Sequence, residues 1–184
     1  MRPDGQLWDK LRVSGVELRL HLNSAHPTAM RPAVAKEFKR VVDVKFGVRA
    51  PLGFVWSHLA EIEKWPSWAK HIRSISISPP GPLSLKTHAT LRLSNGVKTS
   101  FRMIEFDPPR HWKWAGSFLG AQILYDHIFD QKEPEQTMVR FTVDVSGGFG
   151  VLVRGIFGSI YRRNLSRAVP LLIAEIEAAA RAKS

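Results

Sequence analysis

From Phe149 to Ala182 the apolar residues recur in steps of three and four: Phe149, Leu152, Val153, Ile156, Phe157, Ile160, Tyr161, Leu165, Val169, Leu172, Ile173 and Ile176. That period predicts one amphipathic helix, roughly 50 Å long at about 1.5 Å per residue. Arg154, Arg162, Arg163, Ser166, Arg167, Glu177 and Arg181 fall on its other side and are expected in water. Pro170 removes the hydrogen bond to the Ser166 carbonyl, but the apolar phase continues past it, so a kink is expected rather than an end. Gly155 and Gly158 each cost about 1 kcal/mol against Ala. Glycine at these positions either lets the helix pack closely on a neighbour or leaves room beside it for a ligand.

Upstream the dominant period is two. Val42, Val44, Phe46 and Val48 alternate with Asp43, Lys45, Gly47 and Arg49, which marks a half-buried first strand. Ala50-Pro51 stops it, and Val55, Trp56, Leu59 and Ile62 follow at helical spacing, proline being favoured at a helix start. A second short helix is expected to begin at Trp65-Pro66-Ser67-Trp68. From Ile72 alternation returns, with strands predicted at about 72–78, 86–94, 97–106, 111–116, 121–130 and 137–146. Turn formers separate them, among them Asn95-Gly96, a strong hairpin signal. Short links of this kind force antiparallel neighbours.

The order strand, two short helices, six strands, long helix predicts an α+β domain over residues 41–184. Its architecture is a curved seven-stranded antiparallel sheet wrapped around a long kinked C-terminal helix, with two short helices after the first strand, because that helix supplies the apolar stripe that covers the sheet's concave face. Residues 1–40 read as a leader, either poorly ordered or adding an edge strand where Val16, Leu18, Leu20 and Leu22 alternate with polar residues.

Composition narrows the chemistry. The 184 residues contain no cysteine, which excludes disulfides, thiol catalysis and thiolate metal sites. No apolar run approaches the length of a membrane span, and the N-terminus lacks a secretory apolar core, so a cytoplasmic protein is expected. The net charge of +11 lies mainly in the leader and on the final helix: residues 1–40 hold 8 basic and 4 acidic residues, 41–148 hold 13 and 10, and 149–184 hold 6 and 2. Arg162, Arg163 and Arg167 form a short cluster on the predicted helix. It reads first as a solvated face, then as a docking surface for a partner or an anionic membrane, while nucleic acid is not expected as a partner.

Ala50-Pro51, Val55-Trp56, Trp65-Pro66-Ser67-Trp68, Glu105-Phe106-Asp107-Pro108-Pro109, Trp112-Lys113-Trp114 and Thr137 occur in an order and spacing that resemble the helix-grip superfamily. That group includes START lipid-transfer domains, pollen-allergen-like proteins and polyketide cyclases/dehydrases. The chain is most similar to the bacterial polyketide cyclase/dehydrase-like branch, over roughly residues 41–182. The resemblance implies a hydrophobic ligand (a lipid, isoprenoid or polyketide-like molecule) held between sheet and helix, with a cyclase or dehydrase reaction in the same cavity as the alternative.

Candidate residues follow from strand alternation. Trp112 and Trp114 share a face, as do Ile123, Tyr125, His127 and Phe129 on the next strand. The expected ligand contacts are Trp112, Trp114, Tyr125, His127, Phe101, Met103, Phe129, Phe157 and Tyr161. If there is catalysis, His127 and Tyr125 are the best pair for proton transfer or enol stabilisation. The seven histidines show no pair at ligand spacing, so neither a metal nor another cofactor is expected. Oligomeric state is left open by the sequence.

Overall fold

The computed structural model describes residues 37–146 and 150–183, with side chains from residue 155 onward in the second segment. The alternating segments form seven strands: β1 Lys39–Val48, β2 Ile72–Ser78, β3 His88–Leu93, β4 Lys98–Asp107, β5 His111–Phe118, β6 Ala121–Glu133 and β7 Gln136–Ser146. They make one antiparallel sheet in the order β1-β7-β6-β5-β4-β3-β2. Strands β2 to β6 each pair with the next in sequence, and β1 is carried across to pair with β7. Asn95-Gly96 turns β3 into β4, and Gly96 takes the left-handed φ of 87° that glycine adopts without steric cost.

Between β1 and β2 lie a short α-helix, Leu52–Ala60, and a 3-10 helix, Ile62–Ser67. The second begins before Trp65, and Pro66 sits inside it rather than at its start. Leu59 and Ile62 are both buried, Ile62 against the sheet, so the chain continues turning straight after Ala60. Trp65 Nε1 donates to the Leu59 carbonyl at 2.9 Å and holds the tight turn.

The C-terminal helix runs Gly150–Arg181 and continues through Pro170. Its two halves differ. Leu165, Ala168, Val169, Leu172 and Ile176 join the core with Val42, Val48, Leu59 and Val143. Upstream the expected buried stripe breaks, because Ile156 and Ile160 are 55% and 57% exposed. The expected polar face breaks as well. Glu177 is buried, and its carboxylate accepts from the Arg49 backbone N at 3.0 Å and from Arg49 Nη2 at 3.1 Å, tying the last turns of the helix to the end of β1. His58 Nε2 and Ser67 Oγ meet Glu175 Oε1 at 2.9 and 3.0 Å, which ties in the short helices.

Gly158 permits close packing: a Cβ there would stand 3.3 Å from Val41 Cβ, whereas Gly155 faces open space. No helix among the described residues is long and apolar enough to cross a membrane. The strand expected at Val16–Leu22 and the side chains of Phe149, Leu152, Val153 and Arg154 lie outside the described residues.

Candidate functional site

The strand registers arrange the aromatic residues in rows across the sheet. Met103 pairs with Trp114, Trp114 with Tyr125 and Tyr125 with Val143; Trp112 pairs with His127, and His127 with Phe141. Alternation turns these side chains to the face that the helices cover.

The helices fill the space over that face unevenly. At one end Trp56 of the short helix meets Trp112, Phe129 and Phe106 at ring distances of 4.6, 5.2 and 5.8 Å, a closed aromatic block. Further along, a cavity of about 370 Å³ lies between the sheet and the C-terminal helix. Trp114, Phe101 and Tyr125 form its sheet wall; Phe157 and Tyr161, one helical turn apart, form the wall opposite. Tyr125 and Tyr161 approach each other from the two walls, with ring centres 5.7 Å apart. His127 stands where the block meets the cavity, its ring 5.3 Å from Trp112. Leu119, Ile156 and Ile160 line the cavity while largely exposed, and so mark where it opens to the surface.

Gly116 explains how Phe101 reaches the wall. The two residues are paired across β4 and β5, and a Cβ on Gly116 would stand 2.4 Å from Phe101 Cδ1. The Phe101 ring therefore lies on bare backbone, edge-on to Tyr125 at 4.9 Å.

Six expected contact residues thus come together on one cavity: Phe101, Trp114, Tyr125, His127, Phe157 and Tyr161. Three do not. Trp112 and Phe129 are core because Trp56 closes over them, and Met103, beside a bulge in β4, is buried in the same core. Sequence reasoning missed Trp65, His71 and Asn164, which also line the cavity. Asn164 was findable, since it lies one turn beyond Tyr161 on the stripe that carries Phe157, but a search for apolar residues passes over it.

The buried polar groups are held neutral. Burial first, then the neighbouring His111, push the His127 pKa down to about 3, against an opposing effect of the Tyr125 backbone. His127 Nδ1 has no hydrogen-bond partner among the described residues. Burial lowers the pKa of His71 and raises those of Tyr125 and Tyr161, the Tyr161 phenol adding to the rise at Tyr125. Neither tyrosine hydroxyl has a hydrogen-bond partner among the described residues.

Asp126 lies on the outer face, where His111 Nε2 meets its Oδ1 at 2.5 Å, and Asp144 pairs with Arg40 at 3.0 Å. Among the described residues no group of three or more His, Asp or Glu side chains is placed to hold a metal. Arg162, Arg163 and Arg167 are exposed and have no acidic partner among the described residues. Arg162 Nε donates to the Gly158 carbonyl at 3.2 Å, and Arg163 and Arg167 continue the helix line that begins with Ile156 and Ile160.

Residues 26–172 match the model of a family described as polyketide cyclase / dehydrase and lipid transport. Among solved structures, the chain is similar to the ZhuI aromatase/cyclase of Streptomyces sp. R1128, with 16% identity over 77% of this chain and 94% of that one and a TM-score of 0.62. It is also similar to a hypothetical protein from Helicobacter pylori (14% identity, 82% and 94% covered, TM-score 0.63). A norcoclaurine synthase variant from Thalictrum flavum, in complex with a transition-state analogue, gives 15% identity, 77% and 98% covered, and a TM-score of 0.56. At such identities the likeness is one of fold. No curated protein matches the chain.

Proposed function

The chain belongs to the polyketide cyclase / dehydrase and lipid transport family, and from that premise we propose that it binds a hydrophobic small molecule of lipid, isoprenoid or polyketide-like character between its sheet and C-terminal helix. One observation carries the reading: a cavity of about 370 Å³ walled by Phe101, Trp114, Phe157 and two tyrosines, open to the surface at Leu119, Ile156 and Ile160. Burial of ligand area at about 25 cal/mol per Å² supplies the driving force, and Tyr125, Tyr161 and His127 supply orientation.

Native mass spectrometry of freshly purified protein, with organic extraction of whatever it carries, tests the proposal. A one-to-one apolar adduct, or binding of a hydrophobic fluorescent probe that weakens in Trp114→Ala, is the expected result. No adduct together with no probe binding overturns it.

A cyclase or dehydrase reaction in the same cavity is the second reading, favoured by the two unpartnered tyrosine hydroxyls, which suit stabilisation of an enol or enolate oxygen. With a pKa of about 3, His127 is poorly matched to proton transfer near neutral pH. On this reading Tyr125→Phe or Tyr161→Phe lowers turnover far more than it weakens binding, and His127→Phe does less; the reverse order refutes it.

Contact with an anionic membrane is a third reading. It draws on the rim of Leu119, Ile156 and Ile160, which continues along the helix into Arg163 and Arg167. Salt-sensitive flotation with anionic vesicles, lost when Arg162, Arg163 and Arg167 are changed to Glu, is expected. Salt-insensitive attachment rejects it.

A further inference from the structure

We propose that the cavity selects its ligand by charge: it takes an uncharged, largely apolar molecule that carries a hydrogen-bond acceptor such as a carbonyl oxygen, and keeps ionised groups out of its interior. The inference rests on the binding reading above and specifies its ligand class.

None of the described residues lining the cavity is Asp, Glu, Lys or Arg, although the chain holds 27 Lys and Arg. Among the described residues, the titratable groups that face the interior come from three places: His71 just before β2, Tyr125 and His127 on β6, and Tyr161 on the C-terminal helix. Burial moves every one of them away from its charged form, the imidazoles downward and the phenols upward. An ion placed inside would lose its hydration and meet no countercharge among the described residues. The net charge of +11 draws anions to the outer surface, but the described wall offers them nothing further.

A neutral acceptor meets the opposite situation. The hydroxyls of Tyr125 and Tyr161 have no partner among the described residues, and their rings stand on opposite walls with centres 5.7 Å apart. Each hydroxyl has one hydrogen to donate, and both remain protonated across the physiological range. An oxygen acceptor on the ligand satisfies a donor that is otherwise left in an apolar chamber.

The test uses three compact probes, each small enough to enter whole: naphthalene, methyl 2-naphthoate and the 2-naphthoate anion, titrated at about pH 7 against tryptophan fluorescence. Trp65 and Trp114 line the cavity and report occupancy. The ester is expected to bind at least about a hundredfold more tightly than the anion. Tyr161→Phe, and separately Tyr125→Phe, is expected to weaken the ester by about three- to tenfold and leave naphthalene unchanged. An anion that binds within tenfold of the ester overturns selection by charge. Full ester affinity in both tyrosine variants overturns the acceptor requirement. Failure of both naphthalene and ester to bind overturns the binding reading itself, and this inference with it.

Discussion

The Gly116→Ala substitution adds a single methyl group directly beneath the Phe101 ring of the cavity wall. Its Cβ would stand 2.4 and 2.7 Å from Cδ1 and Cε1 of Phe101 and 3.1 Å from the Ser100 carbonyl oxygen. Carbon atoms rest at about 3.5–4.0 Å, so the Phe101 ring must retreat by about 1 Å or more. It cannot retreat freely, because its other side is held edge-on by Tyr125 at 4.9 Å. The displacement therefore carries the ring into the cavity, or parts β4 from β5. Overpacking of this kind costs about 1–3 kcal/mol, a fall in Tm of roughly 2–12 °C for a domain of this size. Loss of fit with a ring-shaped probe is expected to cost a further 1–2 kcal/mol in binding, about a five- to thirtyfold rise in Kd. The assay is a pair of measurements, thermal unfolding and titration with methyl 2-naphthoate, on Gly116→Ala, Phe101→Ala and the double variant. If the ring is what the methyl strikes, removing it relieves the cost, and the double-mutant cycle returns a coupling of about 0.5–3 kcal/mol. Gly116→Ala with unchanged Tm and Kd, or strict additivity in the cycle, refutes the reasoning.

Three further outcomes are expected. Trp112→Phe lowers Tm by leaving a void in the core but keeps probe affinity, whereas Trp114→Phe weakens the probe several-fold; equal effects on binding contradict the division between block and cavity. Thr137→Val removes the hydroxyl that donates to the buried Ala50 carbonyl at 2.8 Å and costs about 1–3 kcal/mol in denaturant unfolding, with ligand affinity unchanged; a neutral effect on stability refutes it. The Glu177 carboxylate is held below its usual pKa of 4.5, chiefly by the Arg49 guanidinium and backbone N–H, so its stabilisation is present above 4.5 and is lost as pH falls through the lower folded value. Glu177→Gln should accordingly lower Tm at neutral pH, and the difference from the parent should narrow as pH falls below 4.5; a gap that stays constant throughout an acid titration refutes the assignment.

The fold was legible because its signals are local and periodic. Alternation at Val42, Val44, Phe46 and Val48 needs no knowledge of the partner strand to be read as β1. Asn95-Gly96 encodes a reversal in two residues, and the steps from Leu165 to Ile176 encode a buried helix face. The 3-10 helix was harder. Trp65-Pro66 looks like a helix start because proline suits that position, yet the boundary was set by Ile62, whose burial depends on the sheet below it.

The candidate site was legible in part for a related reason. Period two says which residues of a strand share a face, and it put Trp112, Trp114, Tyr125, His127 and Phe129 together correctly. It does not say what lies above that face. Trp112 and Phe129 are core because Trp56 descends on them from a helix far away in sequence, whereas Trp114 and Tyr125 face a stretch of the C-terminal helix that stands off the sheet. The helix divides in the same way. Leu165, Val169, Leu172 and Ile176 pack into the core, while Ile156 and Ile160 lie around the helix from that stripe, on the line of Arg163 and Arg167, and are left at the cavity mouth. An apolar residue at the correct phase therefore defines the direction in which a side chain points, and the depth of what it meets is fixed by the length and placement of the elements opposite. In this chain the short helix after β1 covers only one end of the concave face. The uncovered remainder is the cavity, so the position of Trp56 decides which of two similar tryptophans on β5 is sealed in the aromatic block and which lines the cavity.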